Sequence, residues 1–214
     1  MEPRTKLVLV RHGQTDSNAA GRFQGQQDVP LNRIGRSQAD AVAERLVRLR
    51  ASRVVTSDLL RARATAEAVA AASGLGVEVD DRLREIHVGS WQGRTAAEVA
   101  AETPWFEDAL RSGADFRRSD TGETAEEAGE RVAEVLRELA ARHPHETTIV
   151  VGHGLALRVG MCLFLGLGLE SSFALSGLWN CSWTILDHHE RWRLQSYNNV
   201  VVGHAGPLAS PSSR

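Results

Sequence analysis

The sequence predicts an α/β protein built around a mostly parallel sheet. Two apolar runs, Leu7-Val8-Leu9-Val10 and Thr147-Thr148-Ile149-Val150-Val151, read as strands buried on both faces. Between them, strand-like and helix-like segments alternate, the order that a parallel sheet with crossover helices requires. At 214 residues the chain is long enough for one domain with a sizeable core, expected to span residues 1–202.

The elements follow in order. The first strand stops on Arg11-His12-Gly13 and gives way to a polar loop, Gln14 to Val29. So long a loop in a compact domain is usually functional. Asn32 can cap a helix running to about Arg50, with Ala39, Val42, Leu46 and Leu49 as its buried stripe. Arg53 to Thr56 reads as a second strand. Ser57 or Asp58 is expected to cap the next helix, through about Ala72, and Gly74 to end it. Gly76 to Val79 fits a third strand.

The segment from Asp80 to Gly122 is the least regular. It reads as a short helix near 95–102 with loops around it, and residues 86–122 as a lid. A helix from about Glu123 to Arg142 has acidic first turns and a basic end, which suits its dipole. Its core stripe is Val132, Val135, Leu136 and Leu139, and Glu127–Arg131 and Glu138–Arg142 are spaced as surface pairs. The strand Thr147 to Val151 leads through Gly152-His153-Gly154 into an apolar helix from Leu155 to about Leu165. Trp179 to Asp187 and Arg191 to Tyr197 read as two more strands. The tail, residues 203–214, is expected to be disordered.

Composition narrows the function. A net charge of −2 gives no general attraction to nucleic acid or to an anionic membrane, so any phosphate site must be a local arginine cluster. No apolar run is long enough to span a bilayer and no secretory segment is evident, so a cytoplasmic protein is expected. Cys162 and Cys181 read as buried free thiols.

Candidate chemistry gathers at the strand ends. If the two strongest strands lie centrally in one parallel sheet, His12 and His153 meet at its carboxyl edge, where ligands bind in open α/β sheets. Leu155 opens a helix whose positive end would face the same crevice. Arg11 disfavours a metal cation. It suits instead a histidine nucleophile for a phosphoryl group, neutralising the oxygens and keeping the imidazole unprotonated. The plainer reading is a salt-bridged pair at a strand end. Neither histidine has further metal ligands at a recognised spacing, and a nucleophile elbow would need serine where His153 stands. Arg61 and Thr65 share a helix face; alone such an arginine reads as a solvated surface charge, but with Arg11 and the two histidines it becomes a second phosphate clamp. Glu85 is the acid candidate, since a leaving alkoxide needs a proton.

Together, four motifs resemble the histidine phosphatase superfamily, which includes the cofactor-dependent phosphoglycerate mutases. They are Arg11-His12-Gly13, Ser57-Asp58-Leu59-x-Arg61-Ala62-x-x-Thr65-Ala66, Glu85 before Gly89-x-Trp91-x-Gly93, and Gly152-His153-Gly154. They stand in the family's order and cover the chain from about Leu7 to Tyr197. The resemblance implies a three-layer α/β/α sandwich. It implies that His12 is phosphorylated, that Arg11, Arg61 and His153 hold the phosphoryl oxygens, and that Glu85 gives and takes the proton. Asn18, Gln24, Gly25 and the backbone N–H of Gly154 match phosphate- or substrate-contacting positions. No metal and no cofactor is implied; a homodimer is.

The chain departs from the family pattern at Ser17, where Trp is common, and at Thr124, where Gly-Glu-Ser is common. The mutases carry Tyr-Gly-x-Leu-x-Gly after the acid. Val88-Gly89-Ser90-Trp91-Gln92-Gly93 stands there instead, which favours hydrolysis of small phosphomonoesters over isomerisation. Among phosphatases the chain is most similar to the actinobacterial glucosyl-3-phosphoglycerate phosphatases, through stretches such as Gln24-Gly25-Gln26 and Asn180-x-Ser182-Trp183-Thr184. Broad specificity describes it equally well. A phosphoprotein-binding module without turnover would need neither the nucleophile nor the acid.

Overall fold

A computed structural model describes residues 4–203. Strand β1 (Lys6–Arg11) lies inside a six-stranded sheet with β2 (Arg53–Thr56), β3 (Val77–Val79), β4 (Thr147–Gly152), β5 (Trp183–His188) and β6 (Trp192–Asn199). The order is β3-β2-β4-β1-β5-β6; the first four are mutually parallel, β5 runs antiparallel to β1, and β6 runs antiparallel to β5.

The centre of the sheet is buried on both faces, which is why Leu7–Val10 of β1 and Ile149–Val151 of β4 are apolar. Val8 and Val10 point into a cluster with α2 (Arg33–Leu46) and α3 (Leu60–Ser73). Leu7 and Leu9 point the other way, onto α6 (Ala125–Arg142) and α7 (Gly154–Phe164). This is the three-layer α/β/α sandwich. The α6–α7 contact depends on missing side chains: a Cβ on Gly129 would lie 2.3 Å from Val159 Cγ1, and one on Gly160 would lie 2.5 Å from Val132 Cγ1.

Local expectations fared unevenly. Asn32 caps α2 by accepting from Gly35 N at 2.8 Å. The α3 cap differs: the helix opens at Leu60, and Asp28, from the long loop, accepts its N–H at 2.7 Å. Ser57 and Asp58 are taken by tertiary partners, His153 and Arg84. The Glu127–Arg131 pair gives way to Glu127–Arg117 and Glu123–Arg131, while Glu138–Arg142 forms at 3.3 Å. Residues 80–122 are more regular than expected, holding α4 (Ala96–Glu102) and also α5 (Phe106–Ser112). No side chain caps α5; it is held instead by Phe106 packing edge-on against Trp91 and Phe23. β5 starts at Trp183, because Cys181 turns the chain with a left-handed φ of 52° and donates its N–H to the Arg11 and His12 carbonyls.

The remaining α-helices among the described residues are α1 (Asp16–Ala19) and α8 (Gly168–Phe173). Both cysteines are buried and free. Among the described residues, no helix is long and apolar enough to cross a membrane. Residues 204–214 of the tail lie outside the described residues.

Candidate active site

The parallel register of β1 and β4 pairs Arg11 with Gly152, so the next residue on each strand is a histidine. His12 and His153 accordingly lie with ring centroids 5.1 Å apart, both buried. His12 Nδ1 is 2.6 Å from the Gly13 carbonyl. A carbonyl only accepts, so Nδ1 carries the proton and Nε2 of the neutral ring holds the lone pair. Burial, reinforced by the charges of Arg61 and Arg11, holds the His12 pKa well below the usual imidazole value. The ring is therefore neutral at pH 7, with a nucleophilic nitrogen available.

His153 is tuned in the same direction, by burial first and then by Arg61 and His12. Its Nε2 is 3.0 Å from Ser57 Oγ. That hydroxyl accepts from Leu59 N and has its own proton free to donate to Nε2, the arrangement in which the His153 proton stands on Nδ1. Nδ1 has no partner among the described residues. His153 does not itself border the cavity described below; it packs behind His12.

Two guanidinium groups flank the histidines. Arg61 is fully buried and is gripped by the long loop, donating to Gln27 O at 2.7 Å and to Gly25 O at 2.8 Å. Burial lowers its pKa to about 10, so it stays charged at neutral pH. Arg11 donates to Leu178 O. Nε of each arginine has no partner among the described residues. Buried donors left over in this way suit an anion. Thr65 ties the cluster together, accepting from Gly13 N at 3.1 Å and donating to Arg61 O at 2.8 Å.

Glu85 occupies the start of α7. It accepts from Leu155 N at 3.2 Å and from Ala156 N at 3.0 Å. The helix N-terminus expected to face a phosphate thus holds the candidate acid at these two amides. Arg131 fixes the backbone that carries Glu85, donating to the carbonyls of Arg82, Arg84 and Glu85 at 2.7, 2.6 and 2.9 Å. Glu123 pairs with Arg131 at 2.9 Å and also accepts from His87 N at 2.7 Å.

Arg11, His12, Arg61 and Glu85 border one cavity of about 320 Å³. Asn18, Gln24, Gly25 and Gly154 border it too. Asn18 Oδ1 accepts from Thr15 N and from Asn180 Nδ2, leaving its amide nitrogen as the end available to an anion. Gly25 also acts through its carbonyl, which orients Arg61. A side chain at Gly154 would crowd Arg11, since its Cβ would lie 3.3 Å from Nε.

Sequence reasoning missed Ser57, Asn180, Arg118 and Arg158. Arg158 stands four residues beyond Gly154 and so shares its helix face, a signal that could have found it. Arg118 sits in an irregular stretch where no periodicity points to the cavity.

Known proteins resemble this chain in sequence and in fold. The glucosyl-3-phosphoglycerate phosphatase of Mycobacterium tuberculosis (strain ATCC 25618 / H37Rv) is 38% identical over 209 residues, covering 90% of this chain and 94% of that protein. A protein of Serratia proteamaculans (strain 568) named as a probable phosphoglycerate mutase, GpmB, is 34% identical over 208 residues, with 97% and 96% covered. The solved structure of a mycobacterial glucosyl-3-phosphoglycerate phosphatase in complex with VO3 superposes with a TM-score of 0.84 at 38% identity, covering 90% of this chain and 98% of that one. The family model of the histidine phosphatase superfamily (branch 1) matches residues 7–200. The chain belongs to the histidine phosphatase superfamily.

Proposed function

We propose that the protein hydrolyses small phosphomonoesters through a phosphoenzyme formed at His12. The observation that carries this reading is a neutral His12 whose Nδ1 proton is engaged by Gly13 O, with Arg61 and Arg11 beside it. Nε2 attacks phosphorus and the bond to the ester oxygen breaks. Arg11 and Arg61 offset the charge on the phosphoryl oxygens, with His153 packed behind His12. Glu85 gives its proton to the departing alkoxide. It then takes a proton from water, which attacks the phosphohistidine and releases phosphate as the P–N bond breaks. Asn18, Gln24 and the Gly154 N–H orient the phosphoryl group and its ester. The names of the mycobacterial relatives point to glucosyl-3-phosphoglycerate as the substrate to try first.

Phosphate release tests the reading. The wild type should hydrolyse p-nitrophenyl phosphate and alkyl phosphates, and His12→Ala should abolish both activities while remaining folded. Glu85→Gln should reduce hydrolysis of alkyl phosphates far more than that of p-nitrophenyl phosphate, whose leaving group hardly needs a proton. Near-normal turnover by His12→Ala would refute the scheme. Conversion of 3-phosphoglycerate to 2-phosphoglycerate faster than its hydrolysis would assign a mutase instead.

A further inference from the structure

Arg61 is fully buried, yet no carboxylate among the described residues forms an ion pair with it. One short stretch of the long loop orients it instead. Gly25 O and Gln27 O accept from its terminal nitrogens at 2.8 and 2.7 Å. The next residue, Asp28, accepts from Leu60 N at 2.7 Å, immediately before Arg61 in the chain. Residues 25–28 therefore hold both ends of Arg61: the backbone where its helix begins and the guanidinium at the phosphate pocket. Asp28 is exposed and does not border the cavity, so it can reach the reaction only through another residue.

The α3 helix needs this help. Its own N-cap residue, Leu59, offers no side-chain acceptor. Ser57 and Asp58, the caps that stand beside it in sequence, are committed to His153 and Arg84. The first N–H groups of a helix need acceptors, and a carboxylate also suits the positive end of the dipole. Asp28 supplies both from 32 residues away. The loop has a second anchor on its other side. Gly25 has a φ of 51° and sits against Val88, where a Cβ would come within 2.7 Å of Cγ2, and Gln26 donates to Glu85 O at 3.1 Å. Gln27 O, which aims Arg61, lies between the two anchors. Loss of Asp28 frees it on one side.

Charge acts in the same direction. Burial lowers the Arg61 pKa most; Glu85 opposes that, Arg11 adds to it, and Asp28 opposes it again. Once Glu85 carries the proton destined for the leaving group, Asp28 is the carboxylate of the two that still favours the charged guanidinium.

We propose that Asp28 is a positioning residue for the reaction: by bonding Leu60 N it fixes the loop carbonyls that aim Arg61 at the phosphoryl group. The proposal rests on the phosphatase reading, and the experiment separates the two.

The test is a double-mutant cycle between Asp28 and Arg61. Asp28→Ala should lower kcat/KM by about tenfold or more, since a clamp slightly out of place loses much of its effect. The factor should be the same on p-nitrophenyl phosphate and on an alkyl phosphate, because both carry the same phosphoryl group. Asp28→Asn keeps an acceptor oxygen and should stay within about threefold of the wild type. In an Arg61→Ala background, Asp28→Ala should cost less than about a further twofold. The dissociation constant for inorganic phosphate, read by titration calorimetry, should rise about tenfold in Asp28→Ala. An undiminished loss in the Arg61→Ala background would overturn the proposal. So would a lowered melting temperature with kcat/KM and phosphate affinity unchanged, the mark of a purely structural cap. A loss confined to the alkyl phosphate would also overturn it, because Asp28 would then act on Glu85. If the wild type hydrolyses neither ester, the phosphatase reading falls, and phosphate affinity alone decides the role of Asp28. If Asp28→Ala does not fold, Asp28→Glu replaces it, keeping the charge and misplacing the oxygen. A loss of about threefold that disappears in the Arg61→Ala background would then support the proposal, and any other result would overturn it.

Discussion

Replacing Arg131 by Met should disarm Glu85 without touching the phosphate pocket. Arg131 bonds the carbonyls of Arg82, Arg84 and Glu85 in the backbone segment that delivers Glu85, and Glu123 holds it from the other side. Both members of that ion pair are only partly buried, at 18% and 24% side-chain exposure. The loss of stability should therefore fall near the low end of the range for breaking a buried pair, about 3 kcal/mol. Catalysis suffers through position: misplacing a reacting group by about 1 Å can lower a rate about 100-fold. Steady-state assays well below the melting temperature should show kcat on an alkyl phosphate falling about 100-fold. On p-nitrophenyl phosphate it should fall less than about tenfold, since that leaving group needs little proton transfer. Glu123→Gln should show the same leaving-group dependence to a lesser degree. Equal losses on both substrates, or no loss on either, would refute the idea that this pair positions the acid.

Two other expectations follow from the histidines. Ser57→Ala leaves His153 Nε2 without its partner and frees its tautomer. It should lower stability by about 1–3 kcal/mol and kcat about tenfold, with Ser57→Thr retaining most of both. Unchanged kcat in Ser57→Ala would remove the tautomer argument. His12 and His153 have folded pKa values below the unfolded value near 6.5, so the unfolded chain binds more protons over the interval between the two. Their contribution to stability is complete above pH 6.5 and declines as pH falls towards the folded values. Nitrogen NMR of labelled histidine should find both rings neutral at pH 6.5, and a titration midpoint at or above that value would contradict the assignment.

The sandwich was legible because its central strands bury both faces, so Leu7–Val10 and Ile149–Val151 are apolar without interruption. The strand-end histidines were legible for the same reason: where the apolar run stops, the carboxyl edge of the sheet begins. What stayed hidden depends on partners far along the chain. Asp28 caps α3 from a loop 32 residues away, displacing the neighbouring Ser57 and Asp58. The α5 helix has no local cap and exists through ring packing with Trp91 and Phe23. Arg131 could be read as the i+4 partner of Glu127, yet it turns to Glu123 and the Glu85 backbone, which no spacing rule reveals.

The most direct measurement is to trap the phosphoenzyme. Rapid acid-free quenching of the wild type with a labelled phosphomonoester, followed by phosphorus–nitrogen correlation NMR, should find the phosphoryl group on Nε2 of His12, because Nδ1 is engaged by Gly13 O. A phosphoryl group on Nδ1, on another residue, or equally present in His12→Ala would contradict the account.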